Sequence, residues 1–130
     1  MSVGRALSGL AVAIVILAAC SDDPSPRSES AYCGQIAAHV ADLNSPPIST
    51  SSDIGRVLTA WRSVAAAAPV AVDTEWATMV ESIETAITVD PNDPESLQRV
   101  ADTARASEPA AEHVVSYTQE RCGITIGLAP

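Results

Sequence analysis

The sequence predicts an all-α protein, a bundle of four to five helices that follows an N-terminal export segment. Apolar residues recur at spacings of three and four, and prolines, glycines and capping residues separate these runs from one another. Alanine dominates the apolar class, which makes up 47% of the chain, and phenylalanine is absent, a composition that suits closely packed helices. No stretch after the export segment alternates strongly with the two-residue period of a strand. Residues 124–126 come nearest to that pattern, but they are too few to build a sheet.

Residues 1–19 have the three parts of a bacterial secretion signal in the expected order. Arg5 supplies the positive charge, an apolar run follows, and the small residues Ala18 and Ala19 stand directly before Cys20. We expect signal cleavage between Ala19 and Cys20. The alternative is an uncleaved signal anchor, but the apolar run is shorter than the roughly 20 residues that a membrane span usually needs.

The end of this segment, Leu17-Ala18-Ala19-Cys20, resembles the lipobox of bacterial lipoproteins. The resemblance implies that the Cys20 thiol carries a diacylglycerol and that Cys20 becomes the first residue of the exported protein. Buried acyl chains contribute about 0.8 kcal/mol per CH₂, so this lipid anchor would hold the protein at the extracytoplasmic face of the cell membrane. Residues 20–30 are polar and contain two prolines, which predicts a lipidated cysteine and a flexible tether, and residues 31–130 form the predicted helical domain.

Two helices are predicted in the first half of this domain. The first covers residues 32–43 and ends at the Asn-Ser-Pro-Pro sequence of residues 44–47. Asp53 is expected to cap the second helix, which Pro69 ends after a run of alanines. The stripes of these two helices that are expected to be buried contain Cys33, Ile36, Val40, Leu43, Ile54, Val57, Leu58, Trp61, Val64, Ala65 and Ala68.

Two or three further helices are predicted in the second half. Asp73 or Thr74 is expected to cap the third helix, and the fourth begins with Asp93 as its N-cap and Pro94 at its first position. The Ser-Glu-Pro sequence of residues 107–109 is expected to break or kink the chain before a last segment, for which a glycine is the natural C-cap. The apolar faces of these segments contain Trp76, Met79, Val80, Ile83, Ile87, Leu97, Val100, Ala101, Ala104, Ala111, Val114, Val115, Thr118 and Cys122.

Cys33 and Cys122 are the cysteines that remain once Cys20 carries a lipid. Outside the cytoplasm two such thiols are normally oxidised to each other, and a helical bundle easily brings its first and last helices together. We therefore expect a disulfide between Cys33 and Cys122, which would stabilise a small, alanine-rich domain substantially. The alternative is a pair of free, buried thiols.

The whole layout resembles a group of small, functionally uncharacterised lipoproteins of actinobacteria. Besides the lipobox and the tether, the likeness lies in Tyr32-Cys33, Ala68-Pro69, Trp76, Tyr117 and Cys122-Gly123-Ile124. Abundant alanine, and arginine without lysine, agree with a GC-rich genome. The resemblance implies a helical fold and a location at the membrane, but it brings no activity and no catalytic residues.

The charge and the histidines argue against several classes of function. The chain has a formal net charge of −9 and no lysine, whereas nucleic-acid binding needs a basic surface for the phosphates, so no nucleic-acid partner is expected. His39 and His113 lack the Glu-x-x-His spacing of carboxylate-bridged metal bundles and are expected in ordinary boundary or surface positions. Residues 90–95 resemble a calcium loop only superficially, because helix capping accounts for their carboxylates.

No pattern in the sequence indicates catalysis. The chain contains no Gly-x-Ser-x-Gly, no glycine-rich phosphate loop, no Cys-x-x-Cys and no His-Glu-x-x-His. We therefore expect a protein without enzymatic activity, catalytic residues, cofactor or metal.

Trp61 and Trp76 are the bulky residues in an otherwise small-residue core. We expect them to fill the space between the second and third helices; the alternative is that they line an apolar pocket for a lipid or another small ligand. The first functional hypothesis is a non-enzymatic, membrane-tethered module that contacts envelope proteins, and the second is a bundle that binds a small apolar ligand or lipid. A packed core with an exposed apolar patch would favour the first, and a cavity between the indoles the second.

Overall fold

The computed structural model describes residues 26–44 and 50–127. These ranges contain four helices, α1 (Glu29–Asn44), α2 (Ser51–Ala67), α3 (Asp73–Ile87) and α4 (Pro94–Cys122), and no strand. The predicted all-α bundle is therefore confirmed. The predicted signal of residues 1–19 and the predicted lipidation site, Cys20, lie outside the described residues. None of the four helices combines the length and the apolar composition needed to cross a membrane.

Side-chain hydrogen bonds fix where α1 and α2 begin. Ser28 Oγ accepts a hydrogen bond from the backbone N–H of Ala31 (3.1 Å), and α1 begins at Glu29, inside the stretch predicted as tether. Thr50, and not Asp53, is the N-cap of α2, so that prediction was wrong. Asp53 is instead the third helical residue of a capping box: its backbone N–H donates to Thr50 Oγ1, and its carboxylate accepts from the Thr50 N–H (2.9 Å).

The predicted caps are wrong for α3 and confirmed for α4. Val72 precedes α3 without a side-chain capping bond, and Asp73 is the first helical residue. The Asp73 carboxylate lies 3.6 Å from an Arg27 nitrogen and remains in the first turn, where the helix dipole favours negative charge. Asp93 caps α4 by accepting a hydrogen bond from the backbone N–H two residues later (3.0 Å), and Pro94 occupies the first turn as predicted.

Pro109 lies inside α4, so of the predicted break or kink the break is wrong, because the helix continues through this residue. A proline in a helix interior removes one backbone hydrogen bond and costs about 3 kcal/mol, yet α4 packs on α3 both before and after this position. Before it, Thr103 and Ala106 line a groove together with α3; after it, His113 Nδ1 lies 2.8 Å from Glu75 Oε1 on α3. Packing along the whole helix therefore outweighs the local cost. The helix ends as predicted at Gly123, whose φ of 65° is left-handed.

Each helix packs on the next one in the chain, and α1 also contacts α4, which closes the bundle. Ile87 and Leu97, both predicted to be buried, are 44% and 48% exposed. They flank the turn between α3 and α4, which lies at the end of the bundle. The buried core consists of Tyr32, Ile36, Leu43, Val64, Ala68, Val72, Trp76, Met79, Val114 and Ile126.

The C-terminal segment after α4 completes the core without forming a strand. Ile126 is fully buried, although the sequence pattern places it in no helix. The side chain of Asn44, the last residue of α1, accepts a hydrogen bond from the Gly127 N–H (2.8 Å). This contact holds the segment against the end of α1.

Candidate functional site

Trp61 on α2 and Trp76 on α3 contact each other between their two helices. Their ring centroids are 5.7 Å apart and the rings meet edge to face at 79°, a favourable arrangement for aromatic side chains. Trp76 is fully buried, whereas Trp61 is half-buried. The two indoles thus occupy space between α2 and α3.

A buried hydrogen-bond network joins Trp76 to α1 and α4. The Trp76 Nε1–H donates to the Tyr32 hydroxyl (3.0 Å), and the same hydroxyl shares a hydrogen bond with Thr118 Oγ1 (2.7 Å). All three side chains are fully buried. Burial raises the pKa of the Tyr32 phenol, and its two hydrogen bonds offset part of that effect. The neutral hydroxyl of Tyr32 is therefore the polar centre of the core.

Sequence reasoning placed Thr118 on an apolar face but did not identify Tyr32 as the centre of this network. Two signals were available: a buried tryptophan needs an acceptor for its N–H, and a threonine on an apolar stripe needs a partner for its hydroxyl. Tyr32 also contacts Tyr117 edge to face, with ring centroids 5.9 Å apart. The four aromatic residues of the chain, Trp61, Trp76, Tyr32 and Tyr117, thus form one continuous cluster.

Trp61 Nε1 is the single buried side-chain nitrogen or oxygen without a hydrogen-bond partner among the described residues. Buried donors in folded proteins are normally paired, so this atom is the polar contact that a ligand beside Trp61 could use. Three surface grooves lie on α1 and α2, on α4, and between α3 and α4, and neither indole lines any of these three. The pocket between Trp61 and Trp76 remains a prediction.

The predicted disulfide between Cys33 and Cys122 is confirmed. It joins the first turns of α1 to the last turn of α4, with the two Cα atoms 5.4 Å apart. Both cysteines are half-buried and pack against the core. The link closes a loop across 89 positions of the sequence and therefore encloses nearly the whole bundle.

The two histidines lie apart from each other and from a nucleophile. His39 is half-buried on α1, whereas His113 is exposed on α4 and its Nδ1 lies 2.8 Å from Glu75 Oε1. The hydrogen bond from His113 lowers the pKa of the Glu75 carboxyl below its usual 4.5. The pair therefore stabilises the fold above that usual pKa and ceases to do so as the pH falls through the lowered value. Because the pair is exposed, solvent screens it and its contribution is small.

The carboxylates of the turn between α3 and α4 serve mainly to order the backbone. The Asp90 carboxylate accepts a hydrogen bond from the Asn92 N–H (2.9 Å), and the Asp90 N–H donates to Ser96 Oγ (3.0 Å). Together with the Asp93 cap, these bonds confirm the prediction that the carboxylates in residues 90–95 cap and order the backbone. Within the described part of the chain, no three histidine, cysteine or acidic side chains converge as a metal site would require.

Helix hydroxyls are largely engaged with the backbone. Many donate to the carbonyl of the preceding turn, as do those of Thr59, Ser63, Thr78, Thr85 and Thr103. In the described ranges neither histidine hydrogen-bonds to a serine, threonine or cysteine side chain.

Comparison of the chain with protein-family models, curated proteins and solved structures gave no match.

Proposed function

We propose that this protein is a non-enzymatic interaction module of the cell envelope, tethered to the outer face of the cytoplasmic membrane by a lipid on Cys20. The tether rests on the likeness of Leu17-Ala18-Ala19-Cys20 to a lipobox, and the wider resemblance to actinobacterial lipoproteins agrees with it. The observation that carries the interaction role is the exposure of Ile87 and Leu97 on either side of one turn, at the end of a bundle with a buried apolar core. Large apolar side chains left in solvent next to a closed core favour a surface contact with a partner.

The chemistry around these two residues indicates what kind of partner they suit. Ile87 and Leu97 flank the turn between α3 and α4, and this turn and the start of α4 carry Asp90, Asp93 and Glu95. Apolar side chains next to three carboxylates suit a protein surface with an apolar centre and a basic rim. We name residues 87–97 the acidic turn and assign the partner contact to it.

A lipid-binding or small-ligand-binding bundle is the second candidate. It is favoured by the buried, unpaired Nε1 of Trp61, a member of the aromatic cluster whose residue as a whole is half-buried. Against it, Trp76 already donates its N–H to Tyr32 and is fully buried. An apolar ligand would therefore have to displace a satisfied indole, so we rank this function second.

The lipid anchor can be tested by replacing the acylated residue. We expect intact-mass analysis of the native protein to show cleavage before Cys20 and the added mass of a diacylglycerol. Cys20→Ala should abolish acylation and leave an uncut or differently cut precursor, because no other residue at the end of the signal offers a thiol. An unacylated native protein released into the soluble fraction would refute the anchor.

The partner contact can be tested by adding charge to the acidic turn. The double variant Ile87→Asp, Leu97→Asp should form at least tenfold fewer protein cross-links than the wild type forms in its own membrane. The reason is that carboxylates would replace the apolar contact. Ala77→Asp is the matched control, since Ala77 is exposed on α3 outside this turn. Circular dichroism must show that each variant is folded.

Two outcomes would count against the interaction role. Cross-links that persist unchanged in the double variant would exclude the acidic turn as the contact. Co-purification of a lipid or small molecule with the wild type, lost on Trp61→Ala and kept in the double variant, would favour the second candidate.

A further inference from the structure

We propose that one end of the bundle rests on the lipid bilayer, so that the acidic turn at the other end faces away from the membrane. The bilayer-facing surface consists of Pro26, Ala66, Pro69, Val70 and Ala71, and we call it the anchor end. This inference builds on the proposed lipid on Cys20 and adds which face of the domain that lipid brings to the membrane.

The chain reaches the bundle at the anchor end. Arg27 lies 3.6 Å from Asp73 at the start of α3, and Pro26 lines one groove together with Ala66 and Ala67 at the end of α2. The turn from α2 to α3 lies between these two contacts. Val70, in the middle of that turn, is therefore at the end of the bundle where the N-terminal chain arrives.

The length of the preceding chain keeps this end near the membrane. Pro26 follows Cys20 by six positions, and six fully extended residues span at most roughly 20 Å. The 15 residues of α3 separate the anchor end from the acidic turn, which is a helix length of about 22 Å. The anchor end is therefore the part of the domain that an acylated Cys20 holds within reach of the bilayer.

The anchor end is apolar on its surface. Val70 is 84% exposed, more than any other large hydrophobic residue of the described chain. Ala66, Ala71 and Pro26 are also exposed, and Pro69 is half-buried. Transfer of an exposed valine side chain into the interfacial region of a bilayer is favourable. Because Val70 lies in a short turn, its side chain has few contacts within the domain that it would have to give up.

The charges at the two ends of the bundle also favour the anchor end as the side that faces the bilayer. The carboxylates of Asp73 and Glu29 near the anchor end each lie beside an arginine, Arg27 at 3.6 Å and Arg121 at 3.8 Å. The acidic turn carries three carboxylates, and the whole chain has a net charge of −9. Membrane surfaces in bacteria are anionic and repel such a turn. The anchor end, where arginines offset the carboxylates of Asp73 and Glu29 and His113 lies beside that of Glu75, approaches the bilayer at lower electrostatic cost.

The orientation can be measured on residues 20–130 coupled through Cys20 to a maleimide-bearing lipid in phosphatidylcholine nanodiscs. Cys33 and Cys122 are already linked, so Cys20 is the thiol available for coupling. With a nitroxide on the lipid headgroups, we expect amide signals of residues 66–72 to broaden at least threefold more than those of residues 88–97. Val70→Asp should remove most of this difference, and Leu97→Asp, the matched control at the acidic turn, should leave it unchanged.

Equal broadening at both ends, stronger broadening at residues 88–97, or no effect of Val70→Asp would overturn the proposed orientation. Chemical coupling supplies the anchor in this experiment. A native protein without acylation would therefore refute the proposed function and leave this measurement intact, whereas a coupled domain without preferred orientation would refute this inference alone.

Discussion

Replacement of both Cys33 and Cys122 by alanine is expected to lower the free energy of unfolding by about 4 to 5 kcal/mol, because the disulfide closes a loop across 89 positions. That value follows from the loop entropy that the cross-link removes from the unfolded chain. Domains of this size have total stabilities of about 5 to 15 kcal/mol, so the variant should lie close to its unfolding transition. Urea and thermal unfolding followed by circular dichroism would measure the change, with a melting temperature lowered by roughly 20 °C or more.

The comparison needs a background in which the third cysteine cannot interfere. Oxidised and cysteine-free chains should both carry Cys20→Ala, so that no free thiol exchanges with the disulfide. The oxidised chain, once reduced, should unfold at the same urea concentration as the variant without Cys33 and Cys122. A stability difference within about 0.5 kcal/mol, typical of ordinary surface substitutions, would show that the cross-link does not support this fold.

The change Tyr32→Phe is expected to destabilise the protein by about 2 to 3 kcal/mol, although it removes one oxygen atom. The Tyr32 hydroxyl is the acceptor for Trp76 Nε1–H and the partner of Thr118 Oγ1. Its loss leaves a buried indole N–H and a buried hydroxyl without this partner, and each unsatisfied group carries a desolvation cost. Urea unfolding with an unchanged m-value would report the effect as a loss of native-state stability.

Tyr117→Phe is the matched control, because Tyr117 is half-buried in the same cluster and its hydroxyl hydrogen-bonds to no described residue. We expect that control to change stability by less than about 0.5 kcal/mol. Adding Thr118→Val to Tyr32→Phe removes both hydroxyls of the network, so the double variant should lose less stability than the two single changes together. Additive losses, or equal losses for Tyr32 and Tyr117, would contradict a role for the network.

The sequence by itself determined the features that depend on neighbouring residues along the chain. The N-cap at Asp93, the C-cap at Gly123 and the end of α2 before Pro69 all follow from local backbone geometry. The Cys33–Cys122 disulfide was predictable by elimination, provided that Cys20 is assigned to a lipid. Helical periodicity likewise identified buried positions such as Ile36, because residues three and four apart share one face of a helix.

Only the tertiary structure decided the features that depend on what another helix supplies. α4 continues through Pro109 because it packs against α3 both before and after that residue. No property of residues 107–109 reveals this support. Tyr32 became the centre of the buried network because α3 and α4 bring Trp76 and Thr118 to its hydroxyl. Ile87 and Leu97 follow the same apolar pattern as core residues but remain exposed. Periodicity establishes which residues share a face, whereas burial also requires a neighbouring helix long enough to cover that face at the same height.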